Sequence, residues 1–299
     1  MTSNSLLMRP RVCYSDGSVV PSVIFAGVML FKDIFTQKCS GFDKRGKWAG
    51  IEYALKTRMD MKGLAIIRVL CVLLGSLSFA SGAWQDDYDS LLKKYATPEG
   101  VRYKAWKANS TDVSKLNSIS DAIAKESLSG KSRDQKLAFY LNAYNVGIIK
   151  TAIEKYPVKS LKSSEWGFFK KDRFVVAGKK VSFDDIEHGT IRPEFGDARI
   201  HFALNCGARS CPPLHNKAFR ASSLNSTLDA LTKTHLNHWR GLNETKGKVH
   251  VTKLFDWFKK DFVKSGGSVE GFIKKYRTIP GSGKVNGYLH YDWTLNDVK

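Results

Sequence analysis

The chain has 299 residues, 42% of them hydrophobic, and carries 48 Lys and Arg against 28 Asp and Glu, a formal net charge of +20. Such a charge favours acidic partners: phosphate, anionic lipid or polyanionic cell-envelope polymers. The basic residues are scattered and no nucleic-acid motif accompanies them, which argues against a nucleic-acid partner.

Residues 1–60 mix apolar and basic residues without sustained periodicity, and we read them as a mis-assigned start or a disordered leader, with Met61 as the initiator. A membrane segment near Val20 to Phe35 is the other reading, although Lys32 and Asp33 interrupt it. From Met61 the sequence MKGLAIIRVLCVLLGSLSFASGA places Lys62 and Arg68 ahead of an apolar run from Val69 to Ala80, then small residues. That order is a secretory signal peptide. The apolar run is short of the roughly 20 residues of a bilayer span. Residues 61–83 are therefore expected to be cleaved after Ala80 or Ala83, leaving a periplasmic or secreted protein with no stable membrane span in the mature form. The remainder keeps a net charge of +14 and two of the five cysteines, Cys206 and Cys211.

No repeat, low-complexity tract or linker divides residues 84–299, so a single domain is expected, long enough for a full core. Tyr88 to Tyr95 reads as a short helix, Val101 to Trp106 as a strand and Val113 to Ser127 as a helix. The strongest signal is Arg133 to Tyr156, stopped before Pro157. Leu137, Leu141, Tyr144, Ile148 and Ala152 form its buried stripe. Asn142 and Asn145 interrupt a second stripe, and buried amides must find partners or cost about 1 to 3 kcal/mol each. They are either structural clamps on a loop or polar lining of a site.

Phe174 to Phe183 reads as a hairpin turning at Gly178-Lys179. Ser182 then caps a helix with Asp184 and Asp185 in its first turn, carrying Glu187, His188 and Arg192 and ending before Pro193. Arg199 to Asn205 alternates as a strand, with His201 on the face opposite Ile200, Phe202 and Leu204. Further along, helices are expected at Ser222 to Arg240, Phe255 to Lys264 and Val269 to Tyr276, and strands at Lys248 to Lys253 and Gly287 to Trp293. The mixture is α+β, with mixed helices around a small antiparallel sheet.

The stretch HFALNCGARSCPPL (201–214) leaves the strand pattern at Gly207 and the proline pair, so Cys206 sits where a strand meets a loop. Three readings compete for its cysteines. Export permits a Cys206–Cys211 disulfide. His201, Cys206, Cys211 and His215 supply four zinc-type ligands, but at an uncommon spacing. As a thiolate nucleophile, Cys206 would need a base and a group orienting that base. In a straight strand His201 would lie about 16 Å from Cys206 and face away, so His188, His215, His250 and His290 also stand as candidate bases. His235 and His238 read as ordinary helix-surface residues. Neither a metal nor a cofactor is expected.

The segments LAFYLNAYN (137–145), DDIEHGTIR (184–192), DARIHFALNCGARSCPPL (197–214) and YDWTLN (291–296) together resemble the domain of unknown function family 547 over nearly the whole of 84–299. The resemblance implies an exported bacterial protein, a papain-like or transglutaminase-like fold and a Cys-His-acid arrangement. On this sequence the motif cysteine is Cys206, the motif histidine His201, and the acidic helix motif supplies Glu187 and His188. The sequence has Asp197-Ala198-Arg199 where many relatives have Asp-Pro-Arg. Serine often replaces the second cysteine in plant relatives, which speaks against the bridge and against zinc.

The expected activity is hydrolysis or acyl transfer at an amide or ester of a peptide or acidic envelope substrate. Cys206 attacks the carbonyl, His201 or His188 is the general base, Glu187 orients the imidazole and Asn142 or a backbone N–H supports the oxyanion. Asn145, Arg192, Ser210 and Cys211 would contact substrate. The rival expectation is a non-catalytic envelope binding protein with Cys206 and Cys211 bridged.

Overall fold

The computed structural model describes residues 83–298, together with two short strands, β1 (Val12–Cys13) and β2 (Val19–Val20), which pair antiparallel. The expected signal peptide and most of the expected leader lie outside the described residues. Met1–Leu77 and Ser78–Lys299 form separate units, and the site lies in the second.

Helix α1 (Ala83–Tyr95) is followed by α2 (Tyr103–Ala108), where a strand was expected. Tyr103 and Trp106 are both fully buried, and Trp106 stacks on Tyr95 with ring centroids 4.5 Å apart. Two aromatics three residues apart share a face only in a helical turn; a strand would send them to opposite sides. Next comes α3 (Ser110–Lys125), whose Asn109 cap accepts from the Asp112 amide at 3.0 Å.

At the centre lies α4 (Arg133–Lys155), started by a capping box between Ser132 and Gln135. From Leu137 to Ile153 it is buried on nearly every side rather than along one stripe. A helix surrounded by other elements needs an apolar circumference. Leu141, Tyr144 and Ile148 belong to the largest hydrophobic cluster, with Phe183, Ile186 and Ile200. After α5 (Leu161–Ser164), strands β3 (Phe174–Val176) and β4 (Lys179–Val181) form the expected hairpin. The turn falls one residue earlier than read, on Ala177 and Gly178, whose φ angles are 49° and 79°. Positive φ at both central positions is what a tight two-residue hairpin turn requires.

Ser182 and Asp185 cap one another, the Asp185 amide donating to Ser182 Oγ at 3.1 Å and the Ser182 amide to Asp185 Oδ2 at 2.9 Å. The helix then widens into a π-helical segment, Asp185–Ile191, in which the Arg192 amide reaches the Glu187 carbonyl five residues back. It continues through α6 (Arg192–Phe195) instead of stopping at Pro193, which sits where the ladder returns to four-residue bonding.

Residues 198–202 are not a strand. They form a 3₁₀ turn, Ala198–Phe202, begun by Asp197, whose carboxylate accepts from the Arg199 amide at 2.9 Å. Ile200 joins the larger cluster, while Ala198 and Phe202 join the second, which Phe255, Phe262 and Phe272 dominate. Because the turn is wedged between two cores, Ala198, Ile200, His201 and Phe202 are all buried and only Arg199 reaches outward, so the apparent alternation did not mark a solvent face. Helix α7 (Leu224–Leu236) buries His235, so that histidine is a core residue rather than a surface one.

The remaining sheet is mixed rather than purely antiparallel: β5 (Leu242–Thr245) pairs antiparallel with β6 (Lys248–Val251), and β6 pairs parallel with β7 (Gly287–Tyr288). Between them lie α8 (Leu254–Trp257), α9 (Lys259–Gly266) and α10 (Val269–Lys274). The expected closing strand stops at Tyr288, and the chain beyond it is tied to the cysteine loop. The Arg209 amide donates to the Thr294 carbonyl and the Asn296 amide to the Gly207 carbonyl, at 2.8 and 2.9 Å. The result is a single α+β domain over the second unit.

Candidate functional site

Cys206 and Cys211 are joined by a disulfide, with Cα atoms 6.4 Å apart. Asn205 holds this small ring shut. Its Nδ2 donates to the Pro212 carbonyl at 2.8 Å, and its Oδ1 accepts from the Gly207 amide at 2.9 Å. Gly207 has φ 79°, and a Cβ there would lie 2.8 Å from Leu161 Cδ1. The left-handed backbone favours glycine here, and any side chain would also have to displace the end of Leu161. Beneath the loop, Asn145 on α4 donates to the Ala203 carbonyl and accepts from the Asn205 amide, each at 2.9 Å.

The sulfurs open on a cavity of about 150 Å³. Its walls combine Tyr144 from α4, Glu187 and His188 from the π-helical segment, His201 from the 3₁₀ turn and Tyr291 from the C-terminal segment. Trp257, Tyr291 and Trp293 make a continuous aromatic wall, with centroids 4.7 to 5.5 Å apart. The Tyr291 hydroxyl is 3.1 Å from Cys211 Sγ and 3.3 Å from Cys206 Sγ. Among the described residues, no histidine ring hydrogen-bonds to Cys206.

His201 is 3% exposed and its ring stacks on Phe258 at 3.8 Å. Burial lowers its pKa, so the ring is neutral near pH 7. Its Nε2 lies 2.9 Å from Asp261 Oδ2, and Arg192 grips the same carboxylate through Nε and Nη2 at 2.7 and 3.1 Å. The His201 hydrogen bond first, and Arg192 with it, hold Asp261 well below the usual carboxylate range. A charged carboxylate only accepts, so Nε2 carries the proton and Nδ1 keeps its lone pair. That lone pair faces Glu187, whose Oε1 is 3.8 Å away.

Glu187 is a second perturbed acid. Its side chain is 14% exposed, and burial pushes its pKa up to about 7 against the opposing charge of Arg192. Tyr144 hydrogen-bonds to it. One cavity thus holds a charged acid's imidazole partner and, beside it, a carboxyl poised to exchange protons near neutrality.

The sequence-derived candidates separate into groups. Cys206, Cys211, His201, His188 and Glu187 line the cavity. Arg192 stands behind it, with Nη1 3.0 Å from His188 Nδ1. Asn142 does not line it: its Nδ2 and Oδ1 are both spent on the Phe219 carbonyl and amide, at 2.9 and 2.8 Å. Asn145 acts through the loop it clamps. Ser210 lines a neighbouring cavity with His290, and His215 a third. His250 lies in β6 opposite Asn243.

The residue that orients His201 is Asp261, which sequence reasoning missed. It lies sixty residues away in a lysine-rich helix, where a carboxylate reads as surface charge. Tyr144 and Tyr291 lie in segments that carried the family resemblance, but neither was given a role at the site: the first was read as a member of an apolar stripe, the second as part of a strand.

Among the described residues, no group of three or more His, Cys, Asp or Glu is placed to hold a metal ion, and no helix is long and apolar enough to cross a membrane. Residues 128–236 match the family model described as Protein of unknown function, DUF547. That span contains His201, Glu187 and both cysteines but neither Asp261 nor Tyr291. No curated protein and no solved structure matches the chain.

Proposed function

We propose, for a chain whose residues 128–236 are a domain of unknown function 547, an exported thiol-dependent acyl-transfer enzyme or hydrolase that works as the dithiol. The carrying observation is the Asp261–His201 pair, which leaves Nδ1 unprotonated beside Glu187 in the wall of the cavity that Cys206 also lines. A dithiol donor opens the Cys206–Cys211 bridge and is itself oxidised. His201 then takes the Cys206 proton, and the thiolate attacks an amide or ester carbonyl. The amine or alcohol leaves with the proton of the imidazolium, given directly or by way of Glu187, so that His201 is a free base again. Water, activated by the same base, releases the acid and restores the thiol.

Relative to the sequence expectation, Asp261 takes the orienting role given to Glu187, and Glu187 becomes a proton donor. Tyr291, within reach of both sulfurs, is the hydrogen-bond donor nearest the nascent thiolate. The papain-like or transglutaminase-like relationship that the family resemblance implies favours the same reading.

The test uses the reduced chain and a set of p-nitrophenyl esters. The expected result is an acyl adduct on Cys206, detected by mass spectrometry and absent in Cys206→Ser. Iodoacetamide labelling of Cys206 should persist below about pH 7, well under the ordinary thiol pKa. No adduct, together with an ordinary labelling profile, refutes the proposal. The disulfide itself favours a second reading, an envelope binding protein with a structural bridge. In that case the bridge resists reduction in the folded state and Cys206→Ser leaves ligand binding intact.

A further inference from the structure

Tyr291 also borders a larger cavity, about 380 Å³, lined by Arg209, Ser210, Trp239, Arg240, Lys253 and Asp292 among others. Its charges are unevenly answered. Lys253 is paired with Asp256 at 2.7 Å, and the Asp292 carboxylate is held by the Thr294 hydroxyl and amide at 2.7 and 2.9 Å. The two guanidiniums have no such partner: among the described residues neither Arg209 nor Arg240 forms an ion pair. Arg240 Nε is buried without a hydrogen-bond acceptor, and its Nη2 reaches only the Glu99 carbonyl, at 3.4 Å. Burial and the neighbouring Arg209 charge both push the Arg240 pKa down, against weaker support from Glu99 and Asp292. A half-buried guanidinium whose Nε lacks an acceptor and which faces a second cation is suited to an added anion.

We infer that this cavity is an oxyanion site, in which Arg240 and Arg209 hold a carboxylate or phosphate group with the free proton of the Ser210 hydroxyl as a third donor. Ser210 Oγ accepts from the Asp292 amide at 2.9 Å, so its own proton is available to a ligand. The Arg240 guanidinium lies over the ring of Trp239, 5.3 Å from its centroid, and this 65% exposed indole offers apolar surface to the rest of that ligand.

The placement links this site to the sulfurs. Residues 206–211 present Cys206 and Cys211 to the first cavity and Arg209 and Ser210 to the second, and Tyr291 lines both. An acyl group on Cys206 long enough to pass the Tyr291 ring meets these two cations, which favours an acidic acyl group as substrate. That last step rests on the acyl-transfer reading; the oxyanion site does not.

Two measurements keep them apart. Succinate and inorganic phosphate are titrated separately into the oxidised chain by calorimetry, at low and constant ionic strength. Saturable binding of one or both is expected, weakened about tenfold by Arg240→Ala, as suits loss of a charge-assisted contact, and partly restored in Arg240→Lys. Arg209→Ala, at an exposed position, is the variant least able to disturb folding and should weaken binding too. Which anion binds more tightly decides between carboxylate and phosphate. No saturable binding up to about 20 mM, or equal binding by the double variant, overturns the site; affinities weaker than that give too little free energy to matter at an enzyme subsite.

The reduced chain is then compared on p-nitrophenyl acetate and the p-nitrophenyl half-ester of succinic acid. A preference for the acidic ester that Arg240→Ala removes supports the substrate assignment. Turnover of both esters without preference overturns that assignment. Absence of any Cys206 adduct overturns the acyl-transfer reading and leaves the calorimetry standing.

Discussion

Replacing Asn145 by Ala removes a donor and an acceptor in one step. The Ala203 carbonyl and the Asn205 amide, each bonded at 2.9 Å, are left without partners, and both residues are buried beyond the reach of water. A buried backbone group that loses its partner costs about 1 to 3 kcal/mol. Two such groups, with partial relaxation of the loop, give about 3 kcal/mol. For a domain of this length that corresponds to a fall in melting temperature of about 6 to 12 °C. The measurement is thermal unfolding of the oxidised protein, with urea unfolding beside it to establish that the m-value is unchanged.

Asn142→Ala is the matched control, because it strands the Phe219 carbonyl and amide in the same way. Both variants should lose comparable stability. Only Asn145→Ala should alter the alkylation rate of Cys206 after reduction, since only Asn145 holds the loop that carries it. A melting shift below about 2 °C for Asn145→Ala would refute the clamp. So would an equal change in Cys206 reactivity in the two variants.

Glu187 makes a pH prediction. Its folded pKa, about 7, lies above the ordinary value of 4.5, so the folded state binds the extra proton. Its contribution is full below about pH 4.5 and is lost as pH rises through 7. Glu187→Gln should therefore be more stable than the parent by about 3 kcal/mol at pH 8, and the two should converge near pH 4 in urea titrations. His201, depressed by burial, works in the opposite direction and destabilises on acidification, which is why the comparison is made between variants rather than on the parent curve alone.

Asp261→Asn presents an amide in place of the acceptor that fixes the Nε2–H tautomer. Esterase activity of the reduced chain should fall by about 10³- to 10⁴-fold, with a changed His201 nitrogen NMR signature. Tyr291→Phe removes a hydroxyl that contacts both sulfurs. Alkylation of Cys206 near pH 7 should slow about tenfold, the worth of one hydrogen bond to a charged atom, and an unchanged rate would remove Tyr291 from the thiolate's environment.

The sequence carried the long helix clearly because Ser132-Arg133-Asp134-Gln135 starts it and Tyr156-Pro157 ends it, both local signals. Cys206 was legible because the strand pattern breaks off at Gly207 and the proline pair, whereas His201, Glu187 and His188 took their roles from the motifs of the family resemblance. Residues 198–202 were misread for a physical reason: Ala198, Ile200 and Phe202 alternate, yet they fill two different cores, and spacing reports a period only where one side faces water. Val101 to Trp106 failed in the reverse direction, since two aromatics three apart were taken for part of a strand. Asp261 had no local signal at all. Its meaning comes from a contact sixty residues distant, with a histidine whose own orientation depends on the misread turn. His235 likewise looked like a surface residue on a polar helix until the second core closed over it.

Ile186 and Ile191, both buried, flank the turn that holds Glu187 and His188. In a regular α-helix two residues five apart point about 140° away from each other. The wider π turn brings them to the same side, so both anchor in the core while the turn between them swells toward the cavity. The position of the carboxyl that titrates near neutrality is thereby written in residue count rather than in side-chain identity. Dropping Gly189, where an added Cβ would meet nothing within 4 Å, would let the helix regain its ordinary pitch with every catalytic candidate still present in the sequence. Glu187 would then swing out of register with His201. Insertions and deletions of a single residue here are therefore as consequential as substitutions, and an active-site inventory drawn up by residue type alone would overlook them.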